Sequence, residues 1–281
     1  MSNAFAQRAA NITKTWILFL GFAAFLIAAG WVLSATYNQP SILLFAVVFS
    51  FGTTAFSYWF SDKIALRVSK AKEIERNQAP ELWDMVERLS NMASMPMPRV
   101  YMTDDKQINA FATGRNPKHA AIAVTQGAME KLASNELEGV LAHELSHIKN
   151  RDILVSSVAV VLAGVLAMAS HYLMSSFLFR GSNNESRGGF GMLLSLGVLL
   201  LAPIGATIMR LAISRKRESL ADISGTLITG KPQDLADALV KIAQDGAKMP
   251  RASDATAHLW ISSPFKGAES LKWINRLFMT H

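Results

Sequence analysis

Hydrophobic and polar positions fall along this chain in long blocks. Trp16–Ala35 runs 20 positions without a charge, and ten of them are Ile, Leu, Val or Phe. At about −0.3 to −0.6 kcal/mol each, those ten favour bilayer insertion by roughly 3 to 6 kcal/mol. Ser41–Phe60 is a second uncharged run of 20, enough to cross a hydrocarbon layer about 30 Å thick. The short link Thr36–Pro40 predicts a tight helical hairpin. Ile153–Phe179 is a third apolar run, interrupted only by His171, and Phe190–Met209 is a fourth. Pro203 and the glycines of the fourth are tolerated in membrane helices. Soluble core helices seldom extend so far without a charge, so four spans are predicted. The first run is too long for a signal-peptide core, and Leu33 sits badly for cleavage after Ala35, so it reads as an uncleaved anchor. His171 is expected to be neutral and bonded to a neighbouring helix, with Ala163, Gly164 and Ala167 allowing close helix approach.

Between the second and third runs lies the one long polar stretch, Ser61–Asp152. Pro80 followed by Leu82, Met85, Val86 and Leu89 predicts a helix opened by proline and ended by Met95-Pro-Met-Pro98. Arg99–Thr103, Asn109–Thr113 and Ala120–Thr125 read as short strands, the last two joined by a turn at Gly114–Pro117. A further helix is expected to start with Asn135 as cap and Glu138 reaching back. Leu137, Val140, Leu141, Leu145 and Ile148 mark its apolar face. Leu220–Leu227 and Leu235–Ala243 also read as helical. The expected organisation is an N-terminal membrane hairpin over 1–60 and the first part of a soluble domain over 61–152. A second hairpin over 153–209 and the rest of that domain over 210–281 follow. The fold class is mainly α, with four membrane helices and a cytoplasmic α+β domain.

Composition sharpens this. Hydrophobic residues are 51% and charged residues 17%, against roughly 25% charged in ordinary soluble domains. Disordered and fibrous classes are excluded. The absence of cysteine excludes disulfide scaffolds, iron–sulfur centres, cysteine nucleophiles and thiolate metal sites, leaving His, Asp and Glu as metal ligands. The net charge of +7 concentrates at the membrane flanks. Arg8, Lys14, Lys63, Arg67, Lys70, Lys72, Arg76, Lys149, Arg151, Arg210, Arg215, Lys216 and Arg217 lie on one side, and only Arg180 and Arg187 on the other. That asymmetry predicts cytoplasmic termini and a cytoplasmic 61–152 segment, with basic flanks that can touch anionic headgroups. No basic face carries the base-reading or stacking residues of a nucleic-acid binder.

The candidate chemistry lies at His143-Glu144-Leu145-Ser146-His147. Two histidines at i and i+4 share one helix face, so both imidazoles can bind one metal ion. Glu144 stands beside that ion, placed to take a proton from water acidified by the metal. With 6 His, chance predicts about 0.005 such motifs in a chain of this composition. A catalytic zinc needs a third protein ligand and one open position. Glu218 is the best candidate, because the hairpin formed by the third and fourth runs returns the chain to the same membrane face. Asp222, one turn later, can orient a ligand histidine through its far nitrogen. Charged neighbours such as Glu136, Lys149 and Asp152 argue against an intramembrane site. A transporter or scaffold with a structural metal is the rival from another class, though structural zinc needs four protein ligands and three are found.

Together these features resemble the HtpX-type membrane zinc endopeptidases, relatives of the prenyl-protein protease family. The likeness rests on Asn109-Ala-Phe-Ala-Thr-Gly114, Ile122-Ala-Val-Thr125, His143-Glu-Leu-Ser-His147 and Arg217-Glu-Ser-Leu-Ala-Asp222, with a weaker block at His258-Leu-Trp-Ile and Pro264. It implies a gluzincin-like domain with zinc on His143, His147 and Glu218, Glu144 as base, and a cytoplasmic site acting on misfolded or membrane-inserted proteins. It also implies a small sheet that holds substrate as an added strand. An exposed strand at Asn109–Thr113 or Ala120–Thr125 would do this, with Asn109, Ala110, Phe111 and Ala112 as contacts. His258 is a guess for the oxyanion donor. The family pattern continues past Thr-His into Pro-Pro, whereas this chain ends at Thr280-His281, as a shortened chain would.

Overall fold

The structure, a computed structural model, describes residues 2–180, 215–249 and 256–262. The fourth apolar run, Phe190–Met209, lies outside the described residues, as do Pro264, Thr280, His281 and the side chain of His171. The described elements are α1 (Ser2–Tyr37), α2 (Pro40–Val68), β1 (Lys72–Glu73), α3 (Pro80–Met92), β2 (Arg99–Thr103), β3 (Ala110–Gly114), β4 (Ala120–Thr125) and α4 (Gln126–Lys131). They continue with α5 (Ser134–Lys149), α6 (Ile153–Arg180), α7 (Arg215–Thr229) and α8 (Pro232–Gln244).

Helices α1 and α2 form the hairpin. Asn38 makes the reversal at φ 51, a left-handed conformation Asn tolerates better than most residues, and Pro40 opens α2 where no N–H is needed. A Cβ on Gly30 would stand 2.2 Å from Ala46 Cβ, so the two helices can meet there only over a hydrogen. Among the described residues, which leave out the fourth apolar run, a Cβ on Gly164 would meet nothing within 4 Å. Ala9–Ala35 and Pro40–Val68 are both long and apolar enough to cross a bilayer. Many of their large side chains point outward: Leu20 is 67% exposed and Phe45 68%. Helix α2 runs on past Phe60, and its last turns put Ala65 and Leu66 under the sheet. The third apolar run forms the single helix α6, whose Val155, Val158, Ala159, Leu162 and Leu166 pack on Leu18, Phe19 and Phe22 of α1.

The sheet has the order β1-β2-β4-β3, with β2 parallel to β4 and the other pairs antiparallel. Val100 and Ala112 both sit opposite Ile122, one on each side of β4. One sheet face, through Val100, Ala112, Ile122 and Val124, packs on α3, α5 and α8. The other, through Tyr101, Phe111, Ala121 and Ala123, packs on the end of α2, Val160 of α6, and Leu259 and Trp260. Leu141 and Leu145 of α5 are wholly buried, each contributing about 1.5 to 3 kcal/mol.

Three sequence expectations change. The predicted strand Asn109–Thr113 shifts by one residue, because the Asn109 N–H bonds the Thr125 hydroxyl (3.0 Å) instead of entering the ladder. Neither named strand is exposed: β4 is paired on both sides, and β3, though an edge strand, is buried along its whole length. The start of α5 lies two residues earlier than expected, since it is Glu136 that reaches back to the Ala133 N–H (2.7 Å). Lys241 holds Glu136 there at 2.7 Å. Asn135 instead bonds Asp234, and Glu138 pairs with Arg88.

Candidate active site

Helix α5 lies between the sheet and α7, and its last two turns carry His143 and His147 on the face turned to α7. Gly225 sets that packing, for a Cβ there would lie 3.1 Å from the His143 backbone nitrogen. Glu218 and Asp222 sit seven and three residues earlier on α7, two turns and one turn away on the same face. The helix pair thus delivers both carboxylates to the histidines. Among the described residues, His143, His147 and Glu218 bring one donor atom each to within 4.8 Å of one another. The two Nε2 atoms are 3.1 Å apart, and Glu218 Oε2 is 3.7 Å from each. Donors tetrahedrally placed about 2.0 to 2.1 Å from zinc would lie roughly 3.3 Å apart, so these three fit a single ion.

The far ring nitrogens have acids of their own. His143 Nδ1 lies 2.9 Å from Asp222 Oδ1, a close contact made off the axis of the ring N–H. His147 Nδ1 lies 3.0 Å from Asp152 Oδ2. Both rings are therefore oriented with Nε2 toward Glu218. Sequence reasoning treated Asp152 only as a charged neighbour; its spacing five residues after His147 was the available signal. What makes the contact is a reversal at Arg151, held at φ 57, which ends α5 and folds Asp152 back under His147 at the start of α6. The Asp152 N–H also bonds the His147 carbonyl. Asn11 of α1 donates to the Asn150 carbonyl at 3.2 Å, fastening the membrane hairpin to this corner.

Electrostatics follow from four acids around the two histidines, Glu144 and Asp152 buried and Glu218 and Asp222 partly exposed. Burial would lower His143, but the close carboxylates of Asp222 and Glu218 and the field of Glu144 push it up to about 10. Burial likewise opposes charge on His147, and the charge and bond of Asp152 outweigh it, so its pKa also rises. Burial raises Glu144 against the pull of His147 and His143. For Glu218 burial acts upward, yet the His143 bond and the fields of His147, His143 and Arg217 hold it down to about 2. Arg217, 2% exposed, faces the fields of Asp152 and Glu218. The carboxylates of Glu144, Asp152, Glu218 and Asp222 outnumber the nearby cations Arg217 and Lys14, and the excess negative field that raises proton affinity equally attracts a divalent ion.

The Ala112 N–H acts on the Glu144 carboxylate and favours its charged form, linking β3 to the site. Phe111 points away from α5 into the opposite face, against Trp260. Asn109 binds Ser262. His258 Nε2 is 3.0 Å from the Ser156 carbonyl, so that N–H is engaged and Nδ1 is left as an acceptor. Burial lowers its pKa. A neutral ring so tied cannot donate to an oxyanion, and that guess is corrected.

Residues 76–281 match the family described as Peptidase family M48. A Protease HtpX homolog of Pelotomaculum thermopropionicum is 42% identical over 273 residues, covering 96% of this chain and 94% of its own length. One from Burkholderia ambifaria (strain MC40-6) is 41% identical over 275 residues, covering 96% and 92%. The crystal structure of S. mikatae Ste24p aligns with TM-score 0.49 and 16% identity, over 95% of this chain and 66% of that one.

Proposed function

The chain belongs to peptidase family M48 and is a membrane-associated metalloprotease of the HtpX type, and from that premise we propose that it is a zinc endopeptidase cutting misfolded or membrane-inserted proteins at the cytoplasmic membrane face. The reading is carried by one observation: His143, His147 and Glu218 converge on one point while Glu144 lies buried among them. His143 Nε2, His147 Nε2 and a Glu218 oxygen would hold the ion. Zinc, once bound, supplies Lewis acidity that polarises the scissile carbonyl and acidifies water. Glu144 accepts the proton of the attacking water and passes it to the departing amine, so the C–N bond breaks to give a carboxylate and a free N-terminus. Its burial favours the protonated form, which suits the second transfer. Asp222 and Asp152 hold the two imidazoles in register.

Four membrane spans, with both termini and the site in the cytoplasm, complete the proposal; the clustering of Lys and Arg supports that orientation. A transporter or scaffold with a structural metal is disfavoured by family membership. The test is cleavage of casein by protein purified in detergent with Zn²⁺, beside metal content. Equal cleavage by Glu144→Ala would remove Glu144 as base. Undiminished zinc in Glu218→Ala would remove Glu218 as ligand.

A further inference from the structure

The free side of β3 is where a substrate strand would add, and three residues of β3 face that side. The Asn109 carbonyl accepts from Thr125 of β4, so Phe111 and Thr113 also face β4 by strand alternation, and Ala110, Ala112 and Gly114 face outward. The outward groups are engaged within the chain. The Gly114 N–H donates to Ser157 Oγ of α6 (3.2 Å), and the Ala112 N–H acts on the Glu144 carboxylate. The Ala110 carbonyl accepts from the Ile261 N–H (3.1 Å). Beside it the Asn109 carboxamide takes both main-chain groups of one residue: Oδ1 accepts from the Ser262 N–H at 3.1 Å, and Nδ2 donates to the Ser262 carbonyl at 2.8 Å. These contacts read peptide backbone and no side chain, as a protease of broad sequence tolerance would read its substrate.

We propose that Leu259–Ser262 is a self-docked strap occupying the substrate-strand position beside Ala110, and that an extended peptide must displace it to pair with β3. This rests on the endopeptidase reading above and adds the regulation of that site. The exchange is of like for like, since Ala110 and Asn109 would bond a substrate backbone through the same atoms. One main-chain bond reaches β3, two more join Ser262 to the Asn109 carboxamide, and the Trp260 ring rests on Phe111 at 4.6 Å between centroids. Among the described residues Trp260 Nε1 is buried without a hydrogen-bond partner, a donor that release would expose to water. At its other end the strap is tied independently by the His258 bond to Ser156, so it can lift from β3 while staying tethered to α6.

Ile261→Pro deletes the N–H that bonds Ala110, and Ile261→Ala keeps it. With labelled casein and zinc-loaded protein in detergent, Ile261→Pro should raise kcat/KM at least threefold, mainly through KM, whereas Ile261→Ala changes it less than twofold. Trp260→Ala should move in the same direction as Ile261→Pro. Unchanged or reduced kcat/KM in both Ile261→Pro and Trp260→Ala, at full zinc content, overturns the strap. A second measurement avoids the folding of those variants. In Glu144→Gln, which holds peptide without cleaving it, added casein peptide should speed hydrogen exchange at the Ile261 amide several-fold. Bound peptide with Ile261 exchange unchanged or slowed overturns the strap alone. Absence of zinc-dependent cleavage in every form, wild type included, overturns the endopeptidase reading and the strap with it.

Discussion

The hairpin of α1 and α2 and the layer formed by the sheet with α5 and α7 solve packing in opposite ways. In the hairpin, large apolar side chains such as Leu20 and Phe45 face outward, while Ser50, Ser57 and the close Gly30–Ala46 contact lie inside. In the catalytic layer Phe111, Leu141 and Leu145 are buried, and the buried Glu144 carboxylate stands in the field of two histidines. The inversion follows from solvent. Lipid rewards apolar surface and leaves helix contact to small residues and close packing, whereas water drives apolar surface inward. An acid can therefore be buried in the second region if a histidine or arginine meets it, and the acid–histidine cluster stands there.

The comparison can be broken most strongly at its chemistry. Glu144→Gln should lower casein cleavage by about 10³-fold with zinc content unchanged, whereas charge-neutral changes on the outer hairpin face should leave cleavage intact. Next is the packing contrast itself. Phe111→Ala should destabilise by about 3 to 5 kcal/mol, and Phe45→Ala by under about 0.5 kcal/mol, although the same ring is removed; denaturation in detergent measures both. A smaller effect is expected at the corner joining the regions. Asp152→Asn should weaken zinc binding by about 10- to 100-fold, read by chelator competition, because His147 loses the charged acceptor that orients it. Smallest is a pH effect confined to the catalytic layer of EDTA-treated protein. His143 is raised to about 10, so the folded state binds its proton more tightly than the unfolded chain. That stability is whole below about 6.5 and is lost as pH rises toward 10. The Tm should therefore fall from pH 7 to pH 10, and a Tm that rises over that range would contradict it.

How much was legible differs between the two regions for the same reason. Runs of 20 uncharged residues announce α1 and α2 because lipid acts on each segment separately. The His143–His147 pair is equally legible, since i,i+4 spacing is a local property of a helix. Asp152 was not, because its role depends on the left-handed turn at Arg151, which few residues would adopt. The start of α5 was misplaced for a related reason: Asn135 and Glu138 have capping chemistry, but Asp234 and Arg88 claim their side chains across the fold. The exposure of β3 and β4 was likewise a question of strand order, which no window of sequence contains.

By itself, then, the order of residues determined the apolar helices, the metal-binding type of chemistry and the orientation suggested by its basic flanks, all of which depend on spacing over a few turns or on composition. Only the tertiary structure decided that α7 lies against α5 over Gly225, that Asp152 and Asp222 each take one imidazole, and that Ile261 lies on Ala110. Those relations join residues far apart in the chain. Their energies arise when buried charges and main-chain groups must find partners, and that demand exists only after the chain has folded.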